Sequence, residues 1–234
     1  MTTTKPYDAP PGFDWVRRLS SWRVDKGALW LELDTAWGRG AGMRIEVLEP
    51  EIYRWTFMPP AASPPRPSPC LVPRTHPAPR WSVRERPGGI AIVGPRLSLE
   101  IDSEPWSLRF VDARKKPAFA ENPSDVDGLG RPFVLPLGYI RDGRRVASTV
   151  QSFRLEPDEP LYGLGEKFTR LDKVGQRIVS WTRDALGSTS ERSHKNIPFL
   201  WSSRGWGLYL DGGARITWEL GTRSCQSFTV IVDD

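Results

Sequence analysis

Proline and glycine interrupt this chain too often for a long helix to survive. There are 23 Pro and 21 Gly among 234 residues. Proline lacks a backbone donor and clashes with the preceding helical turn, and glycine adds chain entropy that a helix must remove. Between these interruptions the apolar residues recur with a period of two. Leu29, Leu31 and Leu33 share one face of their segment. Met43, Ile45 and Val47 alternate with Arg44 and Glu46, and Tyr53, Trp55 and Phe57 alternate with Arg54 and Thr56. Such alternation marks strands buried on one side. Further strands are predicted at 90–93, 97–101, 108–111, 150–155, 205–210, 216–220 and 228–232. Turns fall at Pro87-Gly88-Gly89, Gly94-Pro95 and Glu104-Pro105. About a dozen strands with short turns predict an all-β fold, an antiparallel β-sandwich of two sheets that each bury one face.

Residues 1–20 read as an N-terminal arm, with Phe13 and Trp15 able to dock on the body. Residues 21–234 read as one sandwich domain. A proline-rich stretch at 59–79 is a loop within the sheet region, because proline cannot donate to a ladder. Residues 112–148 are irregular, rich in Asp, Pro, Gly and Arg.

Composition excludes several functions. The net charge of +5 is thin and scattered. Arg144-Arg145 and Arg114-Lys115-Lys116 are short clusters, not the basic stripe of a nucleic-acid binder. Two cysteines, Cys70 and Cys225, signal neither a disulfide framework nor a Cys-rich metal site. His76 and His194 are isolated and show no ligand spacing, so no metal or other cofactor is expected. The N-terminal MTTTKPYDAPPGFDW has no apolar core, and nowhere does an apolar run reach membrane-spanning length. Neither a signal peptide nor a membrane span is expected, and a cytoplasmic location follows. The 11 Trp suit sheet packing. Their flat rings also suit stacking on sugar, and their N–H suits half-wet sites.

The chemistry-bearing residues gather late in the chain. Asp184, Glu191, His194 and Lys195 lie in a polar loop between glycine-punctuated strands. No GxSxG elbow occurs. The glycines of Tyr162-Gly163-Leu164-Gly165-Glu166 lack a following helix that would present amides to phosphate, so they mark a bend or a close backbone approach. A glycosidase needs two facing carboxylates. Asp184 and Glu191, seven residues apart on one loop, need a supporting shell to hold a catalytic separation. Binding of backbone or of a ligand hydroxyl fits them better. In Trp181-Thr182-Arg183-Asp184 an aromatic, a guanidinium and a carboxylate meet near one point. Such a group can stack on and hydrogen-bond a sugar; it can also be a plain strand end.

Five motifs then occur in order: Tyr162 to Phe168 (YGLGEKF), Gly175-Gln176, Trp181 to Asp184 (WTRD), Lys195 to Phe199 (KNIPF) and Arg204 to Gly207 (RGWG). Together they resemble the N-terminal β-sandwich domain of family 31 glycoside hydrolases, the α-xylosidases and α-glucosidases. KNIPF is most similar to the bacterial α-xylosidase branch. The likeness is strongest over residues 150–234; upstream it lies in strand character. It implies a galactose-mutarotase-like supersandwich. It implies as partner a (β/α)8 catalytic barrel that carries both catalytic Asp residues outside this chain, and a retaining mechanism on an α-linked sugar substrate. It further implies that one sandwich loop reaches the barrel mouth. Asp184 is then the sugar-contacting residue, Trp181 and Arg183 support it, and Ala185 and Leu186 lie beside it. Lys195 to Phe199 is the returning strand that fixes the loop. The family commonly places Tyr before KNIPF, where this chain has His194.

The leading expectation is thus an accessory domain of an α-glycosidase, inactive alone. The alternatives are a free-standing carbohydrate-binding module, a structural β-domain whose ligand loop has decayed, and an epimerase, which needs a His–Glu pair in an open cleft.

Overall fold

The computed structural model describes residues 9–62, 68, 70–72, 77–122, 134–184 and 192–233. Among these residues no helix forms, and the regular structure consists of strands paired antiparallel. The chain divides into two compact units. One is Phe13–Glu121; the other is Met1–Gly12 with Asn122–Asp234.

The unit Phe13–Glu121 is a sandwich of two sheets. Its first sheet runs β1 (Phe13–Asp25), β2 (Ala28–Thr35), β3 (Ala41–Glu49) and β4 (Ile52–Met58), each paired with the next. The second is a five-stranded meander of β5 (Ser82–Arg86), β6 (Gly89–Val93), β7 (Leu97–Asp102), β8 (Ser107–Asp112) and β9 (Pro117–Ala120). The alternation read from the sequence sets the faces. Leu31 pairs with Met43, and Ile45 pairs with Trp55. Leu29, Leu31, Leu33, Met43 and Ile45 are buried on the first sheet, as are Ile92, Leu99, Ile101 and Leu108 on the second. Aromatic rings close the layer. Phe110 of β8 lies 5.3 Å from Tyr53 and 5.9 Å from Trp55 of β4. The Tyr53 hydroxyl donates to the Leu97 carbonyl at 2.5 Å. Burial pushes this phenol up to about 12, because a phenolate there would lose its hydration.

Residues 13–20, expected as part of an N-terminal arm, belong to a strand. β1 begins at Phe13, whose side chain is fully buried and stacks on Trp15 at 6.0 Å. Charged residues later in β1 mask its apolar start. Arg18 and Arg23 pair across the strand with Asp34 and Glu32 of β2.

The second unit holds a sheet of β13 (Gln176–Ser180), β16 (Ile216–Leu220), β17 (Ser227–Asp233), β11 (Arg145–Arg154) and β10 (Gly138–Asp142), in that spatial order. A three-stranded sheet, β12 (Leu161–Gly163), β14 (Phe199–Ser202) and β15 (Gly207–Tyr209), belongs to the same unit. Its core joins Phe153 to Phe228, with rings 5.2 Å apart, and Trp206 to Phe228, stacked at 5.6 Å. A buried carboxylate organises the start of β12. Glu159 accepts the Trp206 indole N–H at 2.7 Å, the Glu156 amide at 2.9 Å and the Ser202 hydroxyl. Cys70 and Cys225 are exposed and are not joined in a disulfide.

Candidate functional site

The site is built where YGLGEKF folds against KNIPF. Gly163 and Gly165 have φ of +107° and +77°, and Leu164 between them has φ of +67°. A left-handed run of this kind is strained for any residue with a Cβ. Here it brings two backbones together. The Leu164 amide donates to Phe199 O at 2.9 Å, and the Glu166 amide donates to Lys195 O at 2.9 Å. A Cβ on Gly165 would collide with the Lys195 carbonyl and lie 2.7 Å from the Ile197 amide nitrogen. The glycines therefore serve close backbone approach, not phosphate.

Lys167 extends the seam. Its ammonium donates to Val179 O at 2.9 Å and to Asn196 Oδ1 at 2.5 Å. Asn196 in turn donates through Nδ2 to Ser193 O at 2.9 Å, which also accepts the Arg183 amide at 3.2 Å. Below, the buried Trp218 indole donates to Ser180 Oγ at 2.9 Å and fixes the end of β13. The chain leaves the sheet there as Trp181-Thr182-Arg183-Asp184, and residues 192–198 run without helix or strand into β14.

An open groove of about 250 Å³ lies beside this exit. Ser180, Trp181 and Thr182 form one wall; Asn196, Pro198, Gly212, Gly213, Ala214 and Ile216 complete it. Trp181 is 44% exposed. Asp184 holds its carboxylate in solvent at 87% exposure, with Oδ1 3.2 Å from Nε2 of the half-exposed His194. Of the predicted site residues, Trp181, Arg183 and Asp184 are described; they follow one another along the exit from β13 and all three are exposed. Leu186, Ala185 and Glu191 lie outside the described residues, as does His76.

Sequence reasoning missed Lys167 and Asn196. It assigned fixing of the loop to the whole segment Lys195 to Phe199, but the roles differ within it. The Lys195 ammonium is exposed and sits 3.5 Å from Glu166, whereas the Asn196 amide does the bridging. A lysine and an asparagine inside otherwise apolar or glycine-rich motifs were the available signal.

The exposed face of the three-stranded sheet is aromatic. Tyr162 pairs with Trp201, rings 4.6 Å apart, and Phe199 pairs with Tyr209. Phe199, Trp201 and Tyr209 are each more than 40% exposed. The Phe199 ring lies over Gly207, where a Cβ would come within 2.8 Å of it. Leu161, Leu200 and Leu208 point the other way and are buried.

The glycosyl hydrolase 31 N-terminal galactose mutarotase-like domain matches residues 42–219, well over half of the chain. The chain belongs to that family. Its seam of YGLGEKF and KNIPF thus sits in a family 31 N-terminal domain, with a galactose-mutarotase-like all-β fold. Among curated relatives, alpha-xylosidase XylQ of Lactiplantibacillus pentosus is 45% identical over 67 residues, covering 29% of this chain and 9% of that protein. An alpha-xylosidase of Emericella nidulans is 32% identical over 149 residues, covering 59% of this chain and 19% of that protein. The cycloalternan-forming enzyme of Listeria monocytogenes shares the fold, with a TM-score of 0.79 at 15% identity over 95% of this chain and 20% of that one. The family 31 domain seen here spans about a fifth or less of these relatives' lengths. Among its described residues no helix is long and apolar enough to cross a membrane.

Proposed function

We propose that this domain serves a retaining α-glycosidase of the α-xylosidase or α-glucosidase type, contributing a sugar-contacting loop to a separate (β/α)8 catalytic barrel, and that it is inactive alone. The observation that carries this reading is the WTRD exit. Asp184 and Trp181 are held out to solvent while the backbone behind them is tied down through Ser193, Asn196 and Lys167. Exposed recognition groups on a fixed base are what a site shared with a second domain requires. In this reading Asp184 accepts hydrogen bonds from sugar hydroxyls, Trp181 and Arg183 flank it, and Leu186, two residues further along the sequence, also contacts the sugar.

The aromatic face of Tyr162, Phe199, Trp201 and Tyr209 is the docking surface for the barrel. A contiguous exposed apolar patch of this kind marks an interaction site. The alpha-xylosidase relatives carry several times more chain than this domain, enough for a partner of the required size.

Two measurements test the reading. The purified chain should not hydrolyse aryl α-xylosides or α-glucosides; turnover by this chain, free of contaminating enzyme, would overturn it. Calorimetric titration with xylose, glucose and isoprimeverose should show no binding. Measurable affinity in the isolated chain would favour the carbohydrate-binding module instead.

A further inference from the structure

We infer that Lys167 is a positioning residue: its ammonium ties the outgoing and returning legs of the loop together and so sets where Asp184 stands. The outgoing leg runs from Val179 through Asp184, and the returning leg from Arg192 through Asn196. Lys167 belongs to neither. It lies more than ten residues before the first and grips both, through Val179 O at 2.9 Å and Asn196 Oδ1 at 2.5 Å. Asn196 passes the constraint on through its Nδ2 bond to Ser193 O, the carbonyl that receives the Arg183 amide. Arg183 directly precedes Asp184.

The chemistry suits a lysine. A compact ammonium has donors only and can serve several carbonyl oxygens at once. Bonds from a charged donor are stronger than neutral ones. The position of the ammonium is itself fixed, because the Glu166 amide immediately before it donates to Lys195 O and Gly165 lies close against the same carbonyl. An apolar side chain of similar length would fill the space and leave two carbonyl oxygens without this donor.

The consequence for Asp184 rests on the sugar-contact reading; the mechanical claim does not. The test therefore uses residue-resolved amide hydrogen exchange on the full 234-residue chain, with no sugar present. In Lys167→Met the Arg183 amide should exchange at least tenfold faster, while Gln151 and Val230 in the β11–β17 ladder stay within twofold. Lys167→Arg, which keeps a charged multiple donor, should restore most of the protection. Asn196→Ala removes the relay but leaves the lysine, and should speed Arg183 exchange in the same way; it decides the matter if Lys167→Met fails to fold. Unchanged Arg183 exchange in folded variants overturns the proposal. So does uniform acceleration that includes Gln151 and Val230, since that is loss of general stability, and so does failure of Lys167→Arg to restore protection.

Discussion

Asp184 Oδ1 and His194 Nε2 stand 3.2 Å apart, each on one side of the segment 185–191. Both side chains are largely in water, so the contact is screened and holds two mobile side chains in one geometry. It contributes little to the fold. His194→Ala and Asp184→Ala should each change unfolding free energy by less than about 0.5 kcal/mol, as read by urea denaturation. In an intact enzyme carrying this domain, Asp184→Ala should lower kcat/KM by about tenfold to a hundredfold, the equivalent of roughly 1.5–3 kcal/mol for a hydrogen bond to a charged group. An unchanged kcat/KM would refute the assignment.

Glu159 should behave in the opposite way. Its carboxylate is buried and accepts from Trp206, Ser202 and the Glu156 amide. Truncation to Ala leaves those donors unpaired out of water, at about 2–4 kcal/mol. Glu159→Gln keeps one oxygen acceptor but sets an amide N–H₂ against donors, and should fall between wild type and Ala. Equilibrium denaturation of the three proteins orders them.

Two glycines with the same backbone sign separate strain from collision. Gly205 has φ of +92° and open space where its Cβ would go. Gly205→Ala should lose only the left-handed penalty, about 1 kcal/mol. At Gly165 the added carbon meets backbone on the neighbouring segment. Gly165→Ala should cost more than about 2 kcal/mol and should loosen the WTRD exit. Equal losses at the two sites would show that the close approach is unimportant.

Alkaline pH should reveal Tyr53 and Lys173 with opposite signs. The Tyr53 phenol is raised to about 12 by burial, so the folded state keeps a proton that the unfolded chain releases near its ordinary value. Stability should therefore fall as pH rises from about 10 to about 12. Because the phenol is only partly buried, the loss is about 1 kcal/mol once solvent screening is allowed for. Lys173 is buried, donating to Arg170 O at 2.6 Å and Thr169 Oγ1 at 3.1 Å. Desolvation lowers its pKa, against the pull of Asp172. The unfolded state binds that proton more tightly, so stability should rise as pH passes from the lowered value towards the ordinary lysine range. Tyr53→Phe should abolish the falling component and leave the rising one.

The limits of sequence reading show at particular residues. Alternation put Leu31 on one face of its segment and marked Met43, Ile45 and Trp55 as alternating positions of theirs, and the strands pair Leu31 with Met43 and Ile45 with Trp55. The start of β1 was not legible, because the arginines and serines after Val16 hide a strand whose pairing with β2 supplies its order. At the site, Trp181, Arg183 and Asp184 were legible as a motif. The tie through Lys167 was not, since Lys167 and Asn196 are 29 residues apart in sequence and neither spacing nor periodicity joins them.

By itself, then, the sequence determined the strand character, the apolar faces, the absence of long helices and the family motifs, because each depends on residues within a few positions of one another. The tertiary structure decided that Gly163 and Gly165 exist to let YGLGEKF close on KNIPF. It decided that Glu159 is a buried acceptor and not a surface charge, and that one ammonium holds both legs of the loop bearing Asp184. Those are contacts between distant segments, and their chemistry is set by which groups the fold removes from water together.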